Sequence, residues 1–278
     1  VKAPGKYFPE LMTERSLDFI EENKDKPFFL YFPLNIPHYP EQAPKKFAEP
    51  FKDLKDPARK SYATIMHATD HYIGRVVDKI EELGLRKDTI FIYMSDNGHS
   101  EETGNRIRVD NHKSGHPKGH FYGASGGGYT GKWKGQKGTF LEGGIRVPAV
   151  ISFPAKLPQG ETRDQVVTSM DWLPTVMELC GIERKKDDPK LDGHSILPFI
   201  RSGKAESGYG NVLHFQWHTQ WAVRKEEWKL IGRGTKPSLL GNLNDEQPER
   251  KNYAKEKPEL VARLLEMHEK WAKEVAPK

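Results

Sequence analysis

Ser95-Asp96-Asn97-Gly98 follows an apolar run and sets a carboxylate beside an amide oxygen at a strand end. That pair of hard oxygen donors suits a hard cation. About forty residues on, the stretch Lys137 to Pro148 brings a lone lysine into a glycine-rich loop just before the chain turns apolar again. Upstream, His38 stands in Pro37-His38-Tyr39-Pro40, after the apolar run Phe28 to Phe32. If the two runs are parallel strands, His38 and Asp96-Asn97 share the carboxyl edge of one sheet, where α/β folds place their sites. Each feature also has a plain structural reading. Asn-Gly is a good turn, and a single histidine between prolines is more often structural than catalytic.

The elements that would position these groups read as follows. Thr13 to Ile20 predicts an amphipathic helix with Thr13 as its N-cap. Phe28 to Phe32 predicts a strand buried on both faces. Between Ser61 and Leu83, Ile65, Met66, Ala68, Ile73, Val76, Val77 and Ile80 recur near helical spacing, with Gly84 as a natural stop. Thr89 to Met94 is a further buried strand, so strand, helix and strand predict a βαβ unit in a parallel sheet. A polar, glycine-rich stretch runs from Gly98 to Gly144, long enough to be functional or irregular. Val147 to Phe153 predicts a strand, Asp171 to Cys180 a helix, and Leu191 to Ile200 an irregular segment. Past Gly203, Asn211 to Gln216 and Trp221 to Ile231 read as antiparallel strands, and Pro258 to Ala272 as an amphipathic helix. The change of character places a boundary near residue 203, giving an α/β domain over 1–203 and a subdomain of antiparallel strands and a terminal helix over 204–278.

Composition narrows the function classes. A chain of 278 residues can bury a sizeable core as one large domain or a domain with an appendage. Its net charge of +5 comes from interleaved basic and acidic residues, without the one-sided basic stripe of a nucleic-acid binder. Nothing approaches transmembrane length, and no apolar leader is visible in the chain. Cys180 is the one cysteine, so no internal disulfide forms.

Two further patterns fall short of a site. Gly126 to Lys132 fits the start of a phosphate-binding loop, but Trp133 stands where a Ser or Thr must bind magnesium. His112, His116 and His120 have the spacing of ligands on one helix face, yet Gly115, Pro117 and Gly119 oppose a helix there. Solvated loop histidines are the expectation, not a zinc site.

The motifs in order resemble the sulfatase family, the formylglycine-dependent, calcium-containing, arylsulfatase-like branch of the alkaline-phosphatase-like superfamily. Besides those above, the resemblance runs through Asp25 to Tyr31, Ile73-Gly74-Arg75-Val76, Gly131 to Gly135, Asp171 to Thr175, Asp192 to Ser195, Ala222-Val223-Arg224 and Trp228-Lys229-Leu230. It implies a mixed, mostly parallel sheet flanked by helices, with a small C-terminal α+β subdomain. It implies that Asp96 and Asn97 ligate one calcium ion. It implies that His38 hydrogen-bonds the sulfate ester near its bridging oxygen and protonates the leaving alcohol, while Lys137 binds the sulfate oxygens. The family's nucleophile is a cysteine followed one residue later by Pro-Ser-Arg and oxidised to formylglycine. That motif is absent, and Cys180, in Glu178-Leu179-Cys180-Gly181, reads as a buried structural thiol. The resemblance therefore implies the C-terminal portion of a sulfuric ester hydrolase. The nucleophile and the remaining calcium ligands would lie in a portion this sequence does not contain, so the chain alone is expected to be inactive. Its implied partner is a sulfated small molecule or glycan, with neither nucleic acid nor a membrane span, and its implied location is periplasmic or extracellular. A phosphodiesterase or phosphonate hydrolase of the same superfamily is the alternative enzyme. A glycan-binding relic without activity is the non-enzymatic one.

Overall fold

The computed structural model describes residues 5–100, 107–108, 121–123, 127–203, 209 and 212–276. In chain order its elements are α1 (Phe8–Asn23), α2 (Pro57–Glu82), β1 (Phe91–Met94), β2 (Ile107–Arg108), β3 (Phe121–Gly123), α3 (Glu142–Ile145), β4 (Ala149–Ser152), α4 (Trp172–Cys180), α5 (Leu197–Ser202), β5 (Val212–Trp217), β6 (Gln220–Lys225), β7 (Trp228–Arg233), β8 (Lys236–Asn242) and α6 (Pro258–Val275). They fall into two units, Val1–Thr89 with Ser100–Tyr129, and Ile90–His99 with Thr130–Lys278.

In the first unit α2 carries the core. Its N-cap Asp56 accepts from the backbone of Ala58 at 2.9 Å, and Gly84, at φ +70°, follows its C-cap. Ile65, Ala68, Tyr72, Val76 and Ile80 recur every three or four residues and are all buried, so one face turns inward. Ile65, Ala68 and Tyr72 pack with Ile36 and Phe47. The N-cap of helix α1 is Tyr7, six residues before the expected cap. Thr13 is buried inside it, and its hydroxyl donates to the Pro9 carbonyl at 2.8 Å, a bond made within a turn and not at its start. Arg75, from the Ile73-Gly74-Arg75-Val76 motif, ties α2 to α1 through Glu10 at 2.5 Å.

Residues 28–32 depart from expectation. They form no ladder among the described residues; Phe29 is 82% exposed and Tyr31 76%. An apolar run records a demand for cover on both faces but does not name the element that meets it. The βαβ unit is not formed either. β1 pairs antiparallel with β4, Phe91 opposite Ser152 and Met94 opposite Ala149, and every ladder among the described residues is antiparallel.

The second unit has two cores. Phe153, Leu157, Leu179 and Leu197 cluster with Ile90 and Ile151. The sheet β5-β6-β7-β8 is a meander whose buried Trp221, Val223, Leu230 and Leu240 receive Leu264 of α6. The single run expected over 221–231 is two strands. Glu226 takes a left-handed φ of +55°, and the chain reverses there between Lys225 and Trp228, which pair with each other. The 191–200 segment gains a short helix, α5. Two motif fragments serve this packing. The buried Asp171 carboxylate accepts from the Thr168 backbone at 2.7 Å and the His194 backbone at 2.8 Å, fixing the Asp192-Gly193-His194-Ser195 turn against the start of α4.

Candidate active site

Asp96, Asn97 and Lys137 all belong to the second unit, and their loops are stitched together. The Lys137 N–H donates to the His99 carbonyl at 2.8 Å, and the Gly98 N–H donates to the Gly144 carbonyl at 2.9 Å. The turn after β1 and the lysine loop thus share two backbone hydrogen bonds across about forty residues of sequence. Gly98 permits the approach. A Cβ there would stand 1.9 Å from the Gly143 carbonyl oxygen, which no side chain tolerates. Lys137 itself occupies a tight turn closed by Thr139 N–H to the Gln136 carbonyl at 3.1 Å. Gly138 follows it at φ +83°, the left-handed third position that glycine fills without strain.

The reactive atoms are left open. Asp96 is exposed, and its carboxylate has no hydrogen-bond or ion-pair partner among the described residues. Asn97 spends its amide nitrogen on the Gly98 carbonyl at 2.9 Å, which leaves its Oδ1 available. A carboxylate and an amide oxygen presented this way fit a hard cation such as calcium. They are two of the six to eight oxygens such an ion takes, and no group of three acidic, His or Cys side chains able to hold a metal occurs among the described residues. The Lys137 ammonium likewise has no acceptor among the described residues, so its charge is free for an anion.

His38 belongs to the first unit and is exposed. Its Nδ1 lies 2.7 Å from the Tyr39 carbonyl. A carbonyl can only accept, so Nδ1 carries the proton and Nε2 remains the exchanging position. Cys180 is exposed at the end of α4, correcting the expectation of a buried thiol; the last turn of that helix turns Leu179 inward instead. Followed by Gly181 and Ile182, it does not fit the context in which a formylglycine forms. Trp221 is buried in the sheet core, whereas Trp217 is 56% exposed. His112, His116, His120 and Gly126 lie outside the described residues.

Behind the lysine loop lies a charged cluster that the motifs contained but did not explain. Lys229, with no exposed side-chain surface, sits 2.9 Å from Glu142 Oε1 and 3.1 Å from Glu249 Oε1. The Glu249 carboxylate also accepts from the Glu142 backbone at 2.7 Å. Burial alone would raise Glu142, but Lys229, Arg146 and Arg224 together outweigh it and hold its carboxyl below the usual value. Burial prevails at Glu249 and pushes it up. Glu142 and Lys229 stand in recognisable motifs; nothing in the polar stretch around Glu249 signals a buried carboxylate.

Comparison with known proteins decides the family. The sulfatase family model matches residues 2–182, and the model for the C-terminal region of N-sulphoglucosamine sulphohydrolase matches residues 133–273. The chain belongs to the sulfatase family. Human arylsulfatase D is 31% identical over 206 residues, 74% of this chain and 31% of that protein. Mouse N-acetylgalactosamine-6-sulfatase is 27% identical, over 79% of this chain and 37% of its own. The crystal structure of Ps i-CgsB in complex with k-i-k-neocarrahexaose superposes with a TM-score of 0.76 at 25% identity, covering 96% of this chain and 55% of that one. This sulfatase chain therefore spans about a third of the length of such curated relatives. A phosphonate monoester hydrolase from Silicibacter pomeroyi, 16% identical with a TM-score of 0.67, shares the fold. No helix among the described residues is long and apolar enough to cross a membrane.

Proposed function

We propose that this chain forms the metal- and sulfate-binding part of a sulfuric ester hydrolase acting on a sulfated glycan. One observation carries the proposal: the stitched pair of loops presents the Asp96 carboxylate, the Asn97 amide oxygen and the Lys137 ammonium, each without a partner among the described residues. Calcium held by Asp96 and Asn97 would supply positive charge at the ester. Lys137 would grip non-bridging sulfate oxygens and offset the charge that develops as the S–O bond breaks. His38, with Nδ1–H held by the Tyr39 carbonyl, would donate from Nε2 to the departing alcohol when the ring carries both protons, returning to its Nδ1–H form. The nucleophile is not among these residues, since Cys180 lacks the required context; in a protein of the relatives' length it would come from elsewhere. The glycan substrate is supported by relatives whose names carry one, the neocarrahexaose complex and the N-acetylgalactosamine-6-sulfatase.

The experiment is release of inorganic sulfate from sulfated oligosaccharides by a protein of the relatives' length, with and without a calcium chelator. Chelator-sensitive release is expected. Faster cleavage of phosphonate monoesters than of any sulfate ester would replace this function with the phosphonate alternative.

A further inference from the structure

The ion-pair network around Lys229 extends to two arginines at its edge. Two carboxylates, Glu142 and Glu249, face three cations: Lys229, Arg146, whose Nε lies 2.9 Å from Glu142 Oε2, and Arg224, whose Nη1 lies 3.9 Å from the same oxygen. Guanidinium groups do not shed their charge.

Both arginines reach an open cleft. Arg146 and Arg224 line a cleft of about 600 Å³ together with Lys132, Trp133 and the carboxylates of Asp164, Glu226 and Glu227. Arg146 commits its Nε to Glu142, and Arg224 commits its Nε to the Glu226 carbonyl at 3.2 Å. The Nη groups of both have no hydrogen-bond acceptor among the described residues. Forked guanidinium nitrogens match the paired oxygens of a carboxylate or sulfate. Beside them the Trp133 ring carries the Arg146 guanidinium at 3.9 Å and the Lys132 ammonium at 4.8 Å. Lys137, Asp96 and Asn97 do not line this cleft.

We propose that the cleft binds a second anionic sugar unit, its carboxylate or sulfate on the Nη groups of Arg146 and Arg224, its hydroxyls donating to Asp164 and Glu227. The volume lies within the ~300–1,000 Å³ of small-ligand sites. The cleft carboxylates, Asp164 and Glu226 exposed and Glu227 half-buried, would repel a bare anion, but they accept hydrogen bonds from the hydroxyls of a sugar. That the ligand is a sugar rests on the glycan function above; that the site takes an oxyanion does not.

Calorimetry on the chain tests it with four probes: an unsulfated disaccharide containing a uronate, a monosulfated disaccharide without one, its neutral parent, and inorganic sulfate. One of the two anionic disaccharides should bind at least about tenfold tighter than the neutral parent and the free ion. Which one does so identifies the anionic group. Arg224→Gln and Arg146→Gln should each weaken it by about tenfold or more. The exposed Lys132→Ala should weaken it a few-fold, and it keeps the test valid if an arginine variant fails to fold by circular dichroism. Equal binding of the neutral parent, binding of sulfate as tight as of the sugar, no binding, or unchanged affinity in the folded variants would overturn the proposal. Sulfate release that persists without such binding would remove this cleft and leave the hydrolase function standing. Binding without sulfate release would do the reverse.

Discussion

At the scale of single residues, the proposed roles separate by what each substitution should change. Lys137→Ala, assayed in a protein of the relatives' length, should slow all sulfate esters by about 10²–10³, because it removes a donor to the sulfate itself. His38→Ala should slow sugar sulfates by about 10²–10⁴ but activated aryl sulfates far less, since a good leaving group needs no proton. Equal losses across leaving groups would reduce His38 to a binding residue. Asp96→Ala should lose calcium by on the order of 10²-fold or more, beyond the effect of removing an outer-shell partner. Asn97→Ala should lose less, a neutral donor being the weaker ligand. Metal content by atomic emission, beside activity, checks both. These four proposed residues stand out in the sequence because each is a distinctive type next to a turn or strand end. Glu249 was not, because its importance comes from burial beside Lys229, and burial of a loop carboxylate leaves no period in the sequence.

Elements show where periodicity informs and where it misleads. The buried face of α2 is written at helical spacing, and so is that of α6, where Leu264 and His268 turn inward. The cap of α1 was misplaced because Thr13 has a cap residue's chemistry but spends its hydroxyl on the preceding turn. Sheet partners were the least legible feature, since Phe28 to Phe32 and β1 are equally apolar yet only β1 finds a ladder. The contact of α6 with the sheet also carries a pH dependence. His268 stacks on Trp221 at 4.7 Å and His214 on Trp271 at 5.0 Å, and the Nδ1 atoms of both are buried without a partner. Burial lowers both imidazoles, His214 to about 4, with the neighbouring His268 adding to the shift. The folded state therefore keeps these rings neutral, while the unfolded chain takes up protons below the ordinary value of 6.5. For His214, stability present above that pH should fall between about 6.5 and 4, by at most about 1.4 kcal/mol per unit, and His268 adds a loss in the same direction. Thermal melts across that range check it, and His214→Phe should flatten the slope. Gly98→Ala should break the stitch between the site loops and lower the melting temperature, because the Gly143 carbonyl leaves no room for a methyl group.

For the molecule as a whole, the chain by itself should not turn over a chromogenic aryl sulfate, as it has no cysteine in a context that yields formylglycine. Turnover by the purified chain near the rate of complete sulfatases would refute the assigned division of labour. The family was legible because many weak fragments keep one order; the cleft proposed to take a sugar was not, because the groups around Arg146 come together only in three dimensions. The two backbone bonds joining the Asp96 turn to the Lys137 loop have a thermodynamic consequence of their own. A ligand that orders one segment lowers the entropy cost of ordering the other. Cation and sulfate binding should therefore be linked, each raising the affinity of the other by the same factor. In that light the glycine at position 98 sets how strongly the two ligands feel each other, and a substitution there should uncouple them before it abolishes either.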